Sequence, residues 1–143
     1  MKAIKYKYPE AQPLSIAAEP EVLYATTPKS KRYGIGSFSH LNKILPLSQA
    51  EWAEILHISD RTLQRYIKEN KPFEGLYAEH LYQIENMANI ALEVFGTPER
   101  AKAWLQQPKE VLGKVLDFSS LQSFWGVKLI SNELGRIAHG VYI

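Results

Sequence analysis

The sequence predicts an all-α protein in which an N-terminal helix-turn-helix domain packs against a C-terminal helical domain. Apolar residues recur at intervals of three and four through most of the chain after residue 36. Serine, threonine, proline and glycine stand where helices would begin and end. Apart from the first 36 residues, no segment alternates convincingly between apolar and polar side chains, as a half-buried strand would.

Length and composition limit the classes of protein to which the chain can belong. Its 143 residues suffice for one sizeable core, or for two small helical subdomains that share one, and the apolar content of 45% is ordinary for a globular protein. Because there is no cysteine, disulfides, thiolate zinc sites and cysteine nucleophiles are excluded. We find no secretory leader and no apolar run long enough to cross a membrane, so we expect a cytoplasmic protein without a membrane partner.

Charge is distributed unevenly along the chain, although its net value is only +2. Residues 1–45 carry seven lysines and arginines against three glutamates, whereas residues 74–143 carry six bases against eight acids. A basic front and a slightly acidic rear indicate two partners of different character.

The first 36 residues are predicted to form a basic, partly disordered arm. Four prolines punctuate it, and a short helix over 16–24 would be broken by Pro20. Lys29, Lys31 and Arg32 can lie along DNA phosphates, or they can be the charges of a solvated linker, and the sequence does not decide between these interpretations.

Residues 37–75 are predicted to form the helix-turn-helix domain. A first helix spans 37–45 and ends before Pro46. In the helix-turn-helix itself, Ser48 and Glu51 can form a capping box for one helix, and Ser59 can cap the next. The apolar seam between these two helices contains Ala53, Leu56, Ile58, Leu63 and Tyr66. His57 occupies the turn, where glycine is commonest, so we expect a left-handed backbone there or a less common turn.

The second helix of this unit, over 60–68, is expected to read duplex DNA. Leu63, Tyr66 and Ile67 should point inward, while the opposite face carries side chains able to recognise bases in a major groove. The candidate DNA-binding residues are Ser59, Arg61, Thr62, Gln64, Arg65 and Lys68. The alternative is the solvated face of an ordinary helix.

The rear of the chain, residues 76–143, is predicted to contain a long helix over 76–95, a short one over 98–105, a helical turn over 119–123 and a last helix over 125–139. The long apolar stripe of the first of these can be core or a dimer interface. In the last helix, Gly135 predicts the close approach of a neighbouring element. The segment between 108 and 118 is expected to be a loop.

Spaced motifs in this rear part carry a resemblance to a known family. They are Phe95-Gly96, Ala101 with Trp104-Leu105, Pro108, Leu112-Gly113, and Arg136-Ile137 with Gly140-Val141. Together with the run HISDRTLQRY at 57–66, they resemble the Xre/MbcA/ParS antitoxins, over about residues 37–143. Lys114 and Leu116 depart from that pattern, which usually has glycine and proline at these positions.

The resemblance implies an antitoxin of a RES-Xre pair. Such a protein neutralises a cognate NAD-depleting RES-type toxin and represses its own operon, and the end of its chain lies at or near the active site of the toxin. The candidate toxin-binding residues are therefore Arg136, His139, Tyr142 and Ile143. The last two side chains can instead close the core of their own domain.

Partners and chemistry follow from these interpretations. We expect a toxin, operator DNA and a second copy of the chain, because operators are commonly read by dimers. The seam of the dimer is expected along the long helix over 76–95 or along the last helix. The four histidines are scattered without the spacing of metal ligands, and no nucleophile or phosphate-loop motif is present, so we expect no enzyme activity, no cofactor and no metal. The alternative function is a stand-alone transcription regulator whose rear domain dimerises or senses a ligand.

Overall fold

A computed structural model describes residues 31–140, which form six α-helices, one 3-10 helix and two small antiparallel sheets. The elements are β1 (Arg32–Tyr33), α1 (Ile35–Ile44), α2 (Gln49–Leu56), α3 (Asp60–Glu69), β2 (Phe73–Glu74), α4 (Leu76–Phe95), α5 (Pro98–Gln106), β3 (Lys109–Val111), β4 (Lys114–Leu116), the 3-10 helix (Phe118–Gln122) and α6 (Phe124–Ala138). None of the helices in this part of the chain is long and apolar enough to cross a membrane. The predicted helix over 16–24 and the predicted contacts of Lys29, Tyr142 and Ile143 lie outside the described residues.

The predicted fold class is confirmed, since helices dominate the structure and the strands are two or three residues long. The long helix begins at Leu76 and ends at Phe95, as predicted. Helix α1 begins two residues before the predicted start, and α6 lies one residue earlier at each end.

Local capping interactions explain where most helices begin. Ser48 and Glu51 form the predicted capping box of α2, with the Ser48 N–H donating to Glu51 Oε1 at 2.8 Å. At α5, the hydroxyl of Thr97 accepts from the Arg100 N–H, and a proline follows the cap. Helix α6 begins in the same way, because the hydroxyl of Ser123 accepts from a backbone N–H of the first turn.

The sheet of β1 and β2 corrects the prediction for the end of the arm. Arg32 pairs with Glu74 and Tyr33 with Phe73, so residues 32–36 belong to the folded part of the chain. The Tyr33 ring is fully buried and meets the ring of Tyr82 edge to face, with 4.9 Å between their centroids. Strand β1 therefore attaches the start of the helix-turn-helix region to α4.

The second sheet, β3 and β4, replaces a predicted loop. It is a hairpin with Lys109 opposite Leu116, and its two-residue turn consists of Leu112 and Gly113. Both turn residues have positive φ, 53° and 79°, which is the backbone of a type I′ turn. The sequence lacks the Asn-Gly or Asp-Gly signal that usually marks such a turn, so the hairpin was missed.

One continuous core unites the two halves of the chain. Helix α4 lies at its centre and packs against α6, α5 and α1. Trp52 of α2 is buried, donates its indole N–H to Asn42 Oδ1 at 2.7 Å, and meets Phe38 edge to face. The helix-turn-helix and the rear helices are thus held by a shared interior.

The close backbone approach predicted at Gly135 occurs instead at Gly126. A Cβ atom added at Gly126 would lie 1.9 Å from the backbone oxygen of Ser120, whereas one added at Gly135 would meet no atom within 4 Å. The prediction for Gly135 is therefore wrong within the described chain, and the tight contact lies between the start of α6 and the 3-10 helix.

Candidate functional site

The turn between α2 and α3 sets the position of the predicted DNA-reading helix. His57 adopts the left-handed conformation, with φ of 60° and ψ of 38°, which is the first of the two alternatives predicted for this turn. The hydroxyl of Ser59 then accepts from the Thr62 N–H at 3.0 Å and caps α3. Leu63 is fully buried and anchors α3 against the core.

The outward face of α3 presents three cations and one amide. Arg61, Gln64, Arg65 and Lys68 are all exposed. Their spacing of three, four and seven residues places them on one side of the helix, along about 10 Å of its axis. None of the three cations forms an ion pair with another residue of the described range. This face is free to meet an anionic surface.

Two of the predicted DNA-binding residues are engaged in the cap. The Ser59 hydroxyl donates to Thr62 Oγ1 at 2.8 Å, and Thr62 is half-buried. Their hydroxyls stabilise the first turn of α3, so Arg61, Gln64, Arg65 and Lys68 are the side chains with most freedom to reach a ligand.

The inward face of α3 differs from the prediction at one position. Leu63 and Tyr66 pack inward, and the Tyr66 ring stacks on Phe73 with 5.1 Å between centroids. Ile67, which was also predicted to point inward, is 38% exposed. The core covers only the side of α3 that carries Leu63 and Tyr66. Ile67 follows Tyr66 and lies at the edge of this side, next to the cationic face.

The basic residues predicted to lie along phosphates have partners within the chain. Lys31 Nζ lies 2.7 Å from Glu79 Oε1, and Arg32 Nε lies 3.2 Å from Glu74 Oε2. Since both pairs are partly exposed, they stabilise the fold weakly. In the structure, these two ion pairs connect β1 and the residue before it to β2 and α4.

The predicted toxin-binding residues lie at the other end of the molecule. Arg136 belongs to the last turn of α6, with Nε 3.5 Å from Glu133 Oε1 and about half of its side chain exposed. His139 follows the helix and is exposed. Helix α6 starts beside the helix-turn-helix and carries these residues about 20 Å away. Tyr142 and Ile143, the other two candidates, are beyond residue 140.

Two histidines that were assigned no binding role connect these regions. His57 Nε2 lies 2.7 Å from the carbonyl oxygen of Gln122, and His80 Nε2 lies 2.8 Å from that of Leu121. His80 is 5% exposed, and its burial lowers its pKa, although the Leu121 carbonyl opposes that shift. The spacing of the histidines along the chain gave no sign of these contacts, because they depend on tertiary structure.

Other features bear on ligands. Within residues 31–140, no group of three or more histidine, aspartate or glutamate side chains is placed to hold a metal ion.

The β3–β4 hairpin exposes two apolar side chains. Leu112 is 79% and Val115 66% exposed, and the sequence analysis did not predict this apolar surface.

Comparison with known proteins finds a family match for the region that contains the helix-turn-helix. Residues 32–84 match the family model described as the antitoxin Xre-like helix-turn-helix domain. These residues form an Xre-like helix-turn-helix domain. A curated relative, Antitoxin Xre of Pseudomonas putida, is 29% identical over 80 residues, which cover 56% of this chain and 50% of that protein. The match thus spans about half the length of the relative.

The Xre-like domain includes β1, α1, α2, α3, β2 and the first part of α4. The match crosses both predicted domain boundaries, at 36 and 75, which stay predictions. The cationic face of α3 lies inside the Xre-like domain, whereas Arg136 and His139 lie outside it.

Proposed function

We propose that this chain is an Xre-type antitoxin that binds operator DNA through α3 and neutralises a cognate toxin through the end of α6. The observation that carries the proposal is the exposed row of Arg61, Gln64, Arg65 and Lys68 on the second helix of a helix-turn-helix whose sequence matches the antitoxin Xre-like family model. The similarity to Antitoxin Xre of Pseudomonas putida supports the same role.

DNA binding uses the geometry of α3. With this helix in a major groove, an arginine can donate two hydrogen bonds to a guanine and Gln64 can pair with an adenine. Lys68, at the other end of the row, is suited to a phosphate contact that carries no sequence information. We propose that the DNA is the operator of the chain's own operon and that binding represses it.

A homodimer places two recognition helices about 34 Å apart, on successive turns of the operator. Leu76 and Tyr77, at the start of α4, are 65% and 41% exposed. These apolar side chains support the long helix as the seam of the dimer.

Toxin binding is assigned to the opposite end of α6. The resemblance of the rear motifs to Xre/MbcA/ParS antitoxins supports a RES-type, NAD-depleting toxin as the partner. Exposed Arg136 and His139 offer a cation and an imidazole to its active-site cleft, and Tyr142 and Ile143 follow them in the sequence. Because Arg136 and His139 lie at the far end of α6 from the turn of the helix-turn-helix, DNA and toxin can be bound at the same time.

Co-expression with the product of the neighbouring gene tests the antitoxin role. We expect the full chain to co-purify with that protein and to prevent its depletion of NAD, and we expect deletion of residues 140–143 to abolish protection while the chain stays folded. If the truncated chain protects fully, the tail is not the inhibitory element. If the full chain neither protects nor co-purifies but still binds its promoter DNA, it is a stand-alone transcription regulator.

A further inference from the structure

Four of the eight large apolar side chains that are exposed within residues 31–140 lie at the starts of α4 and α6. Leu76 and Tyr77 are 65% and 41% exposed, and Phe124 and Trp125 are 37% and 58% exposed. The Phe124 ring meets His80 of α4 edge to face, with 5.0 Å between centroids, so the two helix starts lie side by side. The four exposed residues are called the apolar strip.

Two depressions in the surface meet at Phe124, which lines both of them. The first has a volume of about 510 Å³, lies further along α4 and α6, and is lined by Ile90 and Lys128, among others. The second has a volume of about 490 Å³, lies towards the helix-turn-helix, and is lined by Leu76 and His57, among others. The apolar strip therefore has a concave surface on each side of Phe124.

The two depressions carry opposite charges. Lys128 lines the first, is exposed, and lies with Nζ 6.0 Å from the centroid of the Trp125 ring. Glu74 lines the second, and because its side chain is 58% exposed, its carboxylate can accept from a further cation besides Arg32. The other described residues that line the depressions are apolar, amide, serine or histidine side chains. Few charges and several aromatic rings are typical of the centre of a protein interface.

We infer that two copies of this chain pair through the apolar strip, about a two-fold axis that passes beside Phe124. In a two-fold interface, a residue on one side of the axis meets the residues on the other side of the axis in the second copy. The first depression of each copy therefore faces the second depression of the other. Trp125 packs against Leu76 of the other copy, Lys128 faces Glu74, and each contact occurs twice. The inference rests on the homodimer of the proposed function and names its seam.

The exposed area of the apolar strip suits the centre of such an interface. Because an aromatic side chain carries about 150–250 Å² of surface, the three rings of the strip present roughly 200–340 Å² to solvent, and Leu76 adds to this. A standard interface buries about 800 Å² on each partner, with an apolar centre and a polar rim. The amides of Gln83 and Asn86, which line the first depression, belong to such a rim together with the two charges.

The position of the apolar strip also suits the reading of an operator. The second depression borders His57, in the turn that precedes α3, so pairing holds the two α3 helices in a fixed relation, as contacts to successive turns of DNA require. Arg136 and His139 lie about 20 Å away along α6, so both toxin-binding ends stay outside the seam.

Sedimentation equilibrium of the full chain tests the apolar strip. We expect the parent to be a dimer at micromolar concentration, and Trp125→Ala to raise the dissociation constant of the dimer at least about tenfold, because a large ring is lost from the centre of the interface. The matched control is Val115→Ala on the hairpin, which truncates a side chain that is 66% exposed and should leave the dimer unchanged. Both variants should keep the helical circular dichroism of the parent, since the replaced side chains are largely exposed.

Two charge reversals test which residues face each other, without changing the apolar strip. Lys128→Glu alone and Glu74→Lys alone should each weaken the dimer, because like charges then meet twice across the seam. A mixture of the two variants should dimerise again, since a mixed pair restores both contacts between opposite charges. Lys114→Glu on the exposed hairpin is the control, which should leave the dimer unchanged and should not rescue Glu74→Lys in a mixture.

The results distinguish a wrong seam from a wrong homodimer. If the parent chain is a monomer, the homodimer and its seam are both wrong, whereas the antitoxin role is tested separately by co-purification. If the parent is a dimer and Trp125→Ala has the same dissociation constant, only the seam is wrong. The seam is also wrong if the mixed charge variants stay monomeric, or if Trp125→Ala stays dimeric but no longer co-purifies with the product of the neighbouring gene, because the strip then binds the toxin.

Discussion

The imidazole Nε2 of His57 lies 2.7 Å from the backbone carbonyl oxygen of Gln122. Because a carbonyl oxygen only accepts, Nε2 carries the proton and donates. His57 ends α2 in the turn of the helix-turn-helix, and Gln122 ends the 3-10 helix that leads into α6. His80 of α4 binds the preceding carbonyl, of Leu121, so successive carbonyls attach the 3-10 helix to the helix-turn-helix and to the central helix.

Two replacements of His57 should separate the stability that this hydrogen bond contributes from the strain of the left-handed backbone. We expect His57→Ala to lower the free energy of unfolding by about 0.5–1.5 kcal/mol, because the bond is lost and the φ of 60° is kept. His57→Gly loses the same bond but relieves the backbone, so it should be about 1 kcal/mol more stable than the alanine variant. Urea unfolding measures both. Equal stability of the two variants would contradict a strained turn.

Burial of His80 should make stability depend on pH. Its pKa is lowered below the usual 6.5 by burial; the hydrogen bond to the Leu121 carbonyl opposes this shift, and nearby His57 adds to it. The unfolded chain therefore binds more protons below pH 6.5, and the stability that the neutral ring contributes is present above this value and is lost as the pH falls towards the folded pKa.

For the measurement, urea unfolding at about pH 7.5 is compared with unfolding at about pH 5.5. His80→Gln should show a smaller loss between the two values than the parent chain. The matched control is His40→Gln on the exposed face of α1, which should keep the full loss. If His80→Gln loses as much stability between the two pH values as the parent does, the pH dependence comes from groups other than His80.

The sequence predicted best what depends on neighbouring residues. The capping box of Ser48 and Glu51 and the cap at Ser59 are confirmed because each needs only a serine three residues before a free N–H. The exposed row on α3 followed from helical spacing in the same way. The left-handed backbone of His57 was one of the two alternatives predicted for the turn, the other being a less common turn type.

Contacts between distant residues could not be derived in this way. Tyr33 and Phe73 pair across 40 residues in strands too short to show alternation. The carbonyl that faces Gly126 is supplied by the 3-10 helix, so nothing in the helical pattern distinguished this glycine from Gly135. The candidate site was predictable as a helix face, whereas its attachment through His57 was not.

Substitutions on α3 should separate base recognition from phosphate contact. Against the promoter DNA of its own operon, Arg65→Ala should weaken binding by about 1–3 kcal/mol and relax the sequence preference at one base pair. Lys68→Ala should weaken binding to all sequences alike and reduce the salt dependence by the equivalent of about one phosphate contact. Arg100→Ala on the exposed face of α5 removes the same type of charge and serves as the control. Fluorescence anisotropy at several salt concentrations distinguishes these effects, and unchanged binding in both α3 variants would show that this face does not meet DNA.

Alanine at the two glycines of α6 should have opposite effects. At Gly126 the new Cβ would lie 1.9 Å from the Ser120 backbone oxygen, and a backbone atom cannot move aside as a flexible side chain can. We expect Gly126→Ala to lower the free energy of unfolding by about 1–3 kcal/mol or more, because the start of α6 must shift from the 3-10 helix. At Gly135 nothing lies within 4 Å of the added atom, so Gly135→Ala should raise the free energy of unfolding by up to about 1 kcal/mol through the higher helix propensity of alanine. Both variants change the same helix by the same methyl group, so urea unfolding of the pair isolates the packing contact, and a Gly126→Ala variant as stable as the parent would rule out this close approach of α6 to the 3-10 helix.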